Sequence, residues 1–350
     1  MRITDVRAIQ PIASNSPRDW RTSLGQILVA VDTDVGLTGY GVGGGGLAGV
    51  HVAATVLRDL LLGQDPEPVE QLWGQMYAHT LAFGQKGIAI MAISGVDLAL
   101  WDLRGKAADT PVAALLGGRI DQEIPTYTTL WDDPTDAQLD QHRAFKMHLE
   151  RCTGDDPVAA AVAAVHRARQ RLGAERRLMI NAWMRWDLET ALAVEQAIRG
   201  SAVDWIEEPL PADDLEGYRQ LQNQSSIPIA GGEHEFTAAG FRPLIAERLH
   251  DILQPDVCWC GGLTQLVQIY ELALEAGLRV CPHRGAELWG LHAVAALDPQ
   301  PLAESGRPWM TWVGGQPPIQ DGVIRLTDRP GFGVIIDEDN LPAVPVFADS

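Results

Sequence analysis

Basic residues are scarce in this chain. Lys and Arg number 27 against 46 Asp and Glu, a formal net charge of −19. No Lys/Arg cluster offsets that surplus, so the surface repels phosphate backbones and anionic lipid; nucleic-acid and membrane partners are not expected. An acidic small substrate would be repelled too, so a site for one needs a local cation. Cysteine is also sparse. Cys152, Cys258, Cys260 and Cys281 form no CxxC pair, and four cysteines in a chain this long make neither a disulfide framework nor a zinc-ligand pattern. A reduced, cytoplasmic protein is expected. Long apolar runs are missing. The opening MRITDVRAIQ carries charges where a signal peptide needs an apolar run, and the most apolar stretch, 87–101, is interrupted by Asp97, so no transmembrane segment is expected.

What is present is an ordinary globular composition, 46% hydrophobic and 21% charged over 350 residues. That length corresponds to about two domains and excludes collagen-like, disordered and disulfide-stapled classes. The first third reads as α+β. Strand-like runs at 2–10 and 26–32 lead through the turn DVGLTGYG into a further short strand, followed by helix-like stretches near 48–62, 67–80 and 88–107. The glycine tract at 43–46 lacks the GK[ST] ending of a phosphate loop and reads as a flexible loop.

From about residue 124 short apolar runs alternate with helical stretches such as 156–172, 187–199 and 262–277. The runs are IPTYTTL (124–130), AFKMHL (144–149), RLMINA (177–182), VDWIEEP (203–209), IPIAGGE (227–233), DILQPD (251–256), LRVCPH (278–283) and PLAES (301–305). Eight such runs with helices between them predict a parallel α/β barrel. The last link is short and irregular, which favours (β/α)7β over (β/α)8. The expected organisation is an α+β capping domain at 1–118, the barrel at 119–318, and a tail at 319–350 that returns to cover the first domain.

The runs end in polar, chemically capable residues: Lys146 and His148, Asn181, Glu207, Glu233, Asp256, His283 and Glu304. From Asn181 the steps are 26, 26, 23, 27 and 21 residues, each the length of one βα repeat. Strand C-termini face the open mouth of such a barrel, so these groups would converge on one small volume. A single Glu at a strand end is more often a surface charge, and lone histidines such as His142, His166 and His250 read as structural. Several acids in phase are a different matter. Their oxygens repel unless a cation lies among them, and hard oxygen ligands suit Mg²⁺. Asp256 and His283, one repeat apart, can form a pair in which the carboxylate fixes the imidazole tautomer.

At these residues the chain resembles the mandelate racemase subgroup of the enolase superfamily. VDLALWDLRGKA (96–107), Pro111-Val112 and LLGG (115–118) are similar to the bridge between capping domain and barrel. WIEEP (205–209) and IAGGE (229–233) resemble two metal-ligand motifs, which implies Glu207 and Glu233 as ligands. QPD (254–256), GGLT (261–264) and CPH (281–283) resemble the Asp–His dyad strands, and PLAE (301–304) supplies an acid on the eighth strand. The resemblance implies Mg²⁺-dependent removal of the proton α to a carboxylate, a carboxylate substrate and a homo-oligomer. It implies roles for Asp256, His283, Lys146, His148 and Glu304 in catalysis.

Two residues depart from the pattern. Asn181, in LMINAW, stands where an Asp is usual as first metal ligand; an amide oxygen can still coordinate Mg²⁺ but removes one negative charge. His148, in KMH, stands where a second Lys is usual, and can serve either as a base or as a hydrogen-bond partner of the substrate. The segment GGEHEFT (231–237) with KMH looks like the acid-sugar dehydratases of the subgroup; the alternatives are racemisation, epimerisation or cycloisomerisation, or a relative in which Asn181 and His148 mark weakened metal binding and an altered function. Trp131, Trp183 and Trp259 fall just past strand ends, where they either floor a polyol pocket or pack helix tops. Residues near 14–24 and 41–50 are expected to choose the substrate.

Overall fold

The structure is a computed structural model that describes residues 1–12, 24–306 and 310–344. Strands β1 (Ile3–Ile9), β2 (Ile27–Thr33) and β3 (Thr38–Gly43) form an antiparallel sheet in that order. Helical segments follow at Gly46–His51, at Val52–Leu57 in π-helical form, and at Arg58–Leu61, then at Val69–Thr80 and Ile88–Ala107. Glycines alternate along β3 at 39, 41 and 43, so they share one face of the strand. The helix Ile88–Ala107 lies on that face. A Cβ on Gly41 would come within 2.0 Å of the Gly95 carbonyl oxygen, so only glycine permits this approach. The tract 43–46 is not the open, flexible loop expected from composition. It is a buried turn from β3 into the next helix, and a Cβ on Gly43 would meet the Met91 carbonyl at 2.3 Å.

The second unit contains β4 (Ile124–Leu130), β5 (Ala144–His148), β6 (Arg177–Asn181), β7 (Val203–Glu207), β8 (Ile229–Gly231), β9 (Ile252–Leu253), β10 (Arg279–Val280) and β11 (Ala303–Ser305). These eight are parallel and run in the order β10-β9-β8-β7-β6-β5-β4-β11. Seven helices lie between them, and among the described residues none separates β11 from β12 (Val323–Ile324), which pairs antiparallel with β4. The (β/α)7β expectation therefore matches the topology.

β10 and β11 share no ladder, yet the ring closes. Tyr127, Ala144, Met179, Trp205, Ala230, Ile252, Cys281 and Leu302, one from each strand or its adjoining residue, pack as a single buried apolar cluster. The Ala286 amide donates to the Glu304 carbonyl at 2.8 Å across the seam. Side chains alternate along a strand, so the residues two positions further on point the same way, one layer nearer the C-terminal mouth. In strand order from β4 they are Thr129, Lys146, Asn181, Glu207, Gly232, Gln254, His283 and Glu304. An apolar layer thus supports a polar one.

The capping unit docks through Asp97, the charge that interrupts the apolar helix. Its carboxylate accepts the Thr264 amide at 3.0 Å and the Thr264 hydroxyl at 2.5 Å, while Trp101 Nε1 donates to that hydroxyl at 3.0 Å. The tail divides its contacts. β12 serves the barrel; Phe332 then donates its amide to Asp102, Glu338 binds Arg7 and Tyr40, and the Val344 amide donates to Gln10. Coverage of the first unit thus begins near Gly331 rather than at 319. Among the described residues no helix is long and apolar enough to cross a membrane.

Burial pushes the Asp97 carboxyl up from 3.8 to about 7, against the Thr264 hydrogen bonds that lower it. The folded state therefore binds a proton that the unfolded chain has already released, and stability from this group falls as pH rises through that interval. Urea unfolding between about pH 4 and pH 7 should show wild type losing stability relative to Asp97→Asn; parallel curves would remove the assignment.

Candidate active site

The polar layer is organised around Lys146, which is 1% exposed. Its ammonium lies 2.6 Å from Glu207 Oε1 and 2.8 Å from Glu304 Oε1. Burial disfavours that charge, but the two carboxylates hold it well above its ordinary value. One ammonium bonds both carboxylates but carries a single positive charge against two negative ones. Glu304 also accepts from Thr129 and faces His283, and Lys146 with His283 outweighs burial to bring it down to about 2. Glu207 is pushed up, by burial first, although Lys146 pulls the other way. It also accepts from Asn181 Nδ2 at 2.5 Å and Gln254 Nε2 at 2.7 Å. Asn181 Oδ1 accepts the Trp183 amide at 2.6 Å.

Asp256 and His283 meet as the sequence pattern anticipates. His283 Nδ1 lies 2.9 Å from Asp256 Oδ2, and an isolated parallel bridge joins the two residues just past β9 and β10. Asp256 also accepts from Arg284 Nη2 and the Cys258 amide, each at 2.8 Å. Against the cost of burial, Arg284 and His283 hold this carboxyl well below the usual range. An ionised Asp256 accepts a proton bond, so Nδ1 carries the hydrogen and Nε2 is left toward the mouth. Nε2 lies 3.5 Å from Glu233 Oε1 and 4.0 Å from Glu304 Oε2. Burial lowers the imidazole's basicity, but Glu233, Glu304 and Asp256 together raise it.

Glu233 leaves the two-residue rhythm because Gly232 precedes it at φ +121°, a conformation closed to other residues in so tight a space. It lies in a group with Glu208 and His234 whose ligand-capable atoms are all within 4.8 Å of one another. His234 Nδ1 is 2.8 Å from Glu208 Oε2. Burial opposes the charge on this imidazole, yet Glu208 and then Glu233 raise it to about 9. Glu207 is outside that group and turned to Lys146. Asn181 touches Glu207, whereas Glu233 has Glu208 and His234 beside it.

His148, the next residue above Lys146 on the same face of β5, is one-tenth exposed; its Nδ1 lies 2.5 Å from Glu150 Oε2. The Trp131 ring stacks on it at 4.6 Å. Trp183 and Trp259 both stand edge-on to His234, at 6.4 and 5.6 Å. All three tryptophans therefore pack against a mouth histidine. From the capping unit, Gly44 abuts the Trp259 indole, and Lys86 pairs with Glu235 at 2.6 Å. Of the segments expected to choose the substrate, 41–50 thus borders the mouth, while all of 14–24 except Leu24 lies outside the described residues. The structural histidines behave as such: His250 binds the Leu249 carbonyl, His142 packs on Phe145, and His166 is exposed on a helix.

Several neighbours escaped the sequence reading. Thr129 and Gln254 were accessible to it, because each lies two residues beyond an inward apolar residue. Arg284 and Glu208 were not. Both have left strand geometry, at φ 51° and 40°, so no period-two count reaches them.

Acid oxygens outnumber fixed cations here. Glu207, Glu208, Glu233, Asp256 and Glu304 face Lys146 and Arg284, with protonation of His234 and His283 making up part of the difference. Such a donor set fits a hard divalent cation.

Comparison with known proteins bears on this geometry. The mandelate racemase / muconate lactonizing enzyme N-terminal domain matches residues 6–117, and the enolase C-terminal domain-like family matches 133–340. An L-rhamnonate dehydratase of Saccharopolyspora erythraea is 35% identical over 330 residues, covering 90% of this chain and 84% of that protein. Among solved structures, L-rhamnonate dehydratase from Gibberella zeae superposes with a TM-score of 0.86 at 27% identity, over 97% of this chain and 94% of that one. A racemase from Streptomyces coelicolor with bound magnesium gives 0.87 at 29% identity, over 97% and 98%.

Removing the central ammonium isolates its test. Lys146→Met leaves two carboxylates buried without their cation, and urea unfolding should show a loss of about 3–5 kcal/mol. Lys146→Met combined with Glu304→Gln should recover part of it. A single-mutant loss under about 1 kcal/mol would mean the pair is solvated like a surface bridge.

Proposed function

The chain belongs to the mandelate racemase / muconate lactonizing enzyme family, and from that premise we propose that it removes the proton α to a carboxylate and dehydrates a sugar acid to a 2-keto-3-deoxy acid. The observation that carries the proposal is the oriented Asp256–His283 pair, with Nε2 directed at the layer that holds Lys146 and Glu304. Asp256 holds the imidazole in the tautomer whose Nε2 can accept the α-proton. His283 then passes that proton to the departing β-hydroxyl, so water leaves and the resulting enol becomes the 2-keto-3-deoxy acid. Lys146, anchored by Glu304, orients the substrate carboxylate, and His148 from β5 accepts the enol hydroxyl proton as C3 is protonated to give the keto acid.

Glu233, Glu207 and Asn181 would hold Mg²⁺ at the oxygen-rich ends of β6 to β8, with Glu208 and His234 alongside. When bound there, the cation supplies positive charge to the substrate carboxylate as negative charge develops on it. It also answers the net charge of −19, which otherwise repels an acid substrate.

A second reading, proton transfer between two faces of one carbon, is favoured by a single observation: His148 provides a second imidazole at the mouth. Incubation in D₂O with a panel of acid sugars that includes L-rhamnonate separates the two. Formation of a 2-keto acid is expected, whereas α-deuteration with no elimination supports the second reading, and neither result across the panel sinks both. His283→Asn should abolish turnover while leaving the Mg²⁺-induced thermal shift intact; retained turnover would strip His283 of its role. Asn181→Asp restores a carboxylate and should enlarge that thermal shift. Loss of the shift in Glu208→Gln but not in Glu207→Gln would move the cation from the proposed ligands to the Glu208–Glu233–His234 group.

A further inference from the structure

The chain leaves β5 still extended, since the Leu149 amide donates to the Asn181 carbonyl at 2.7 Å. Lys146 and His148 therefore share one face, aimed at the mouth. Glu150 follows immediately, with a carboxylate that accepts from two donors at once. Oε2 lies 2.5 Å from His148 Nδ1, and Oε1 accepts from Trp131 Nε1 at 3.2 Å. The Trp131 ring lies nearly parallel to the imidazole, at 15°, and limits its rotation. The geometry reproduces the Asp256–His283 arrangement on the other side of the site: β5 and β10 flank the adjacent strands β4 and β11.

We propose that Glu150 is a positioning residue that fixes His148 as the Nδ1–H tautomer, leaving Nε2 free as a second proton acceptor at the mouth. The catalytic half of the proposal rests on the function proposed above; the tautomer does not. A carboxylate can accept from the indole and the imidazole together, one oxygen each. An amide cannot. In Glu150→Gln the single oxygen serves Trp131, and the NH₂ group then donates to His148 Nδ1. The ring hydrogen moves to Nε2, which loses its lone pair. Although its surroundings are half-buried, Glu150 is held ionised by His148.

The test uses the full, ligand-free chain labelled with ¹⁵N-histidine, at a pH where the imidazole is neutral, with His148 identified by the signals lost in His148→Gln. The Nδ1–H pattern is expected in wild type and in Glu150→Asp, and the Nε2–H pattern in Glu150→Gln. The double variant Trp131→Phe/Glu150→Gln removes the competing indole, lets the amide oxygen turn to His148, and should return the wild-type pattern. An Nε2–H pattern in wild type, or no change in Glu150→Gln, overturns the proposal, and the wild-type spectrum decides even if the variant does not fold. With an acid sugar that wild type converts, Glu150→Gln should lower kcat about 100-fold or more with KM little changed, the scale of one general base. Glu150→Asp should recover most of that loss. A tautomer switch with undiminished kcat overturns the catalytic half. If wild type converts no acid sugar, it is the proposed function that fails, since the spectrum judges the dyad without any substrate.

Discussion

A two-residue period organises this protein. Eight parallel strands each place one side chain inward per two residues, and the ring they form is too narrow for anything but side chains. The apolar set from Tyr127 round to Leu302 packs the middle of the barrel. The next set, from Thr129 round to Glu304, has no such packing to join and meets at the mouth. Lys146 makes that polar layer tolerable. Buried between Glu207 and Glu304, it is the charge around which the other groups settle. Burying charges costs several kcal/mol apiece unless each finds a partner, so this layer is unlike any that packing alone would produce.

The same layer is left short of positive charge. Glu207 and Glu304 share the one ammonium of Lys146, Glu208 turns to His234, and Glu233 faces His283 with His234 beside it. A site that draws protons onto its histidines has an excess of acid oxygens, the donor set that suits a hard cation. The capping unit completes the enclosure by a different route. Alternate glycines on β3 let one helix lie against the sheet, and the same helix carries Asp97, which anchors the cap to the barrel at Thr264.

Much of this was legible in the chain. The eight apolar runs correspond to the eight strands, because fully buried parallel strands are short and apolar along their whole length. The residues at their ends were legible for the same reason: a charged or amide side chain is costly within a strand, and its recurrence at one repeat length marks the mouth. The glycine tract was misread, because composition cannot tell a solvated loop from a turn so crowded that only glycine fits. The tail was read only in part, since β12 contributes two residues to β4 before the chain turns back toward Gly331.

The chain's own pattern determined the barrel, its strand count and the set of polar residues that gather at one end, because periodicity and burial are written locally. Only the tertiary structure decided who pairs with whom. Lys146 chooses Glu207 and Glu304, Glu233 sits by Glu208 and His234, and Glu150 reaches back to His148, since each choice depends on positive-φ turns and on distances between strands far apart in sequence. Electrostatic partners are selected by separations of a few ångströms, and a one-dimensional spacing carries no record of those.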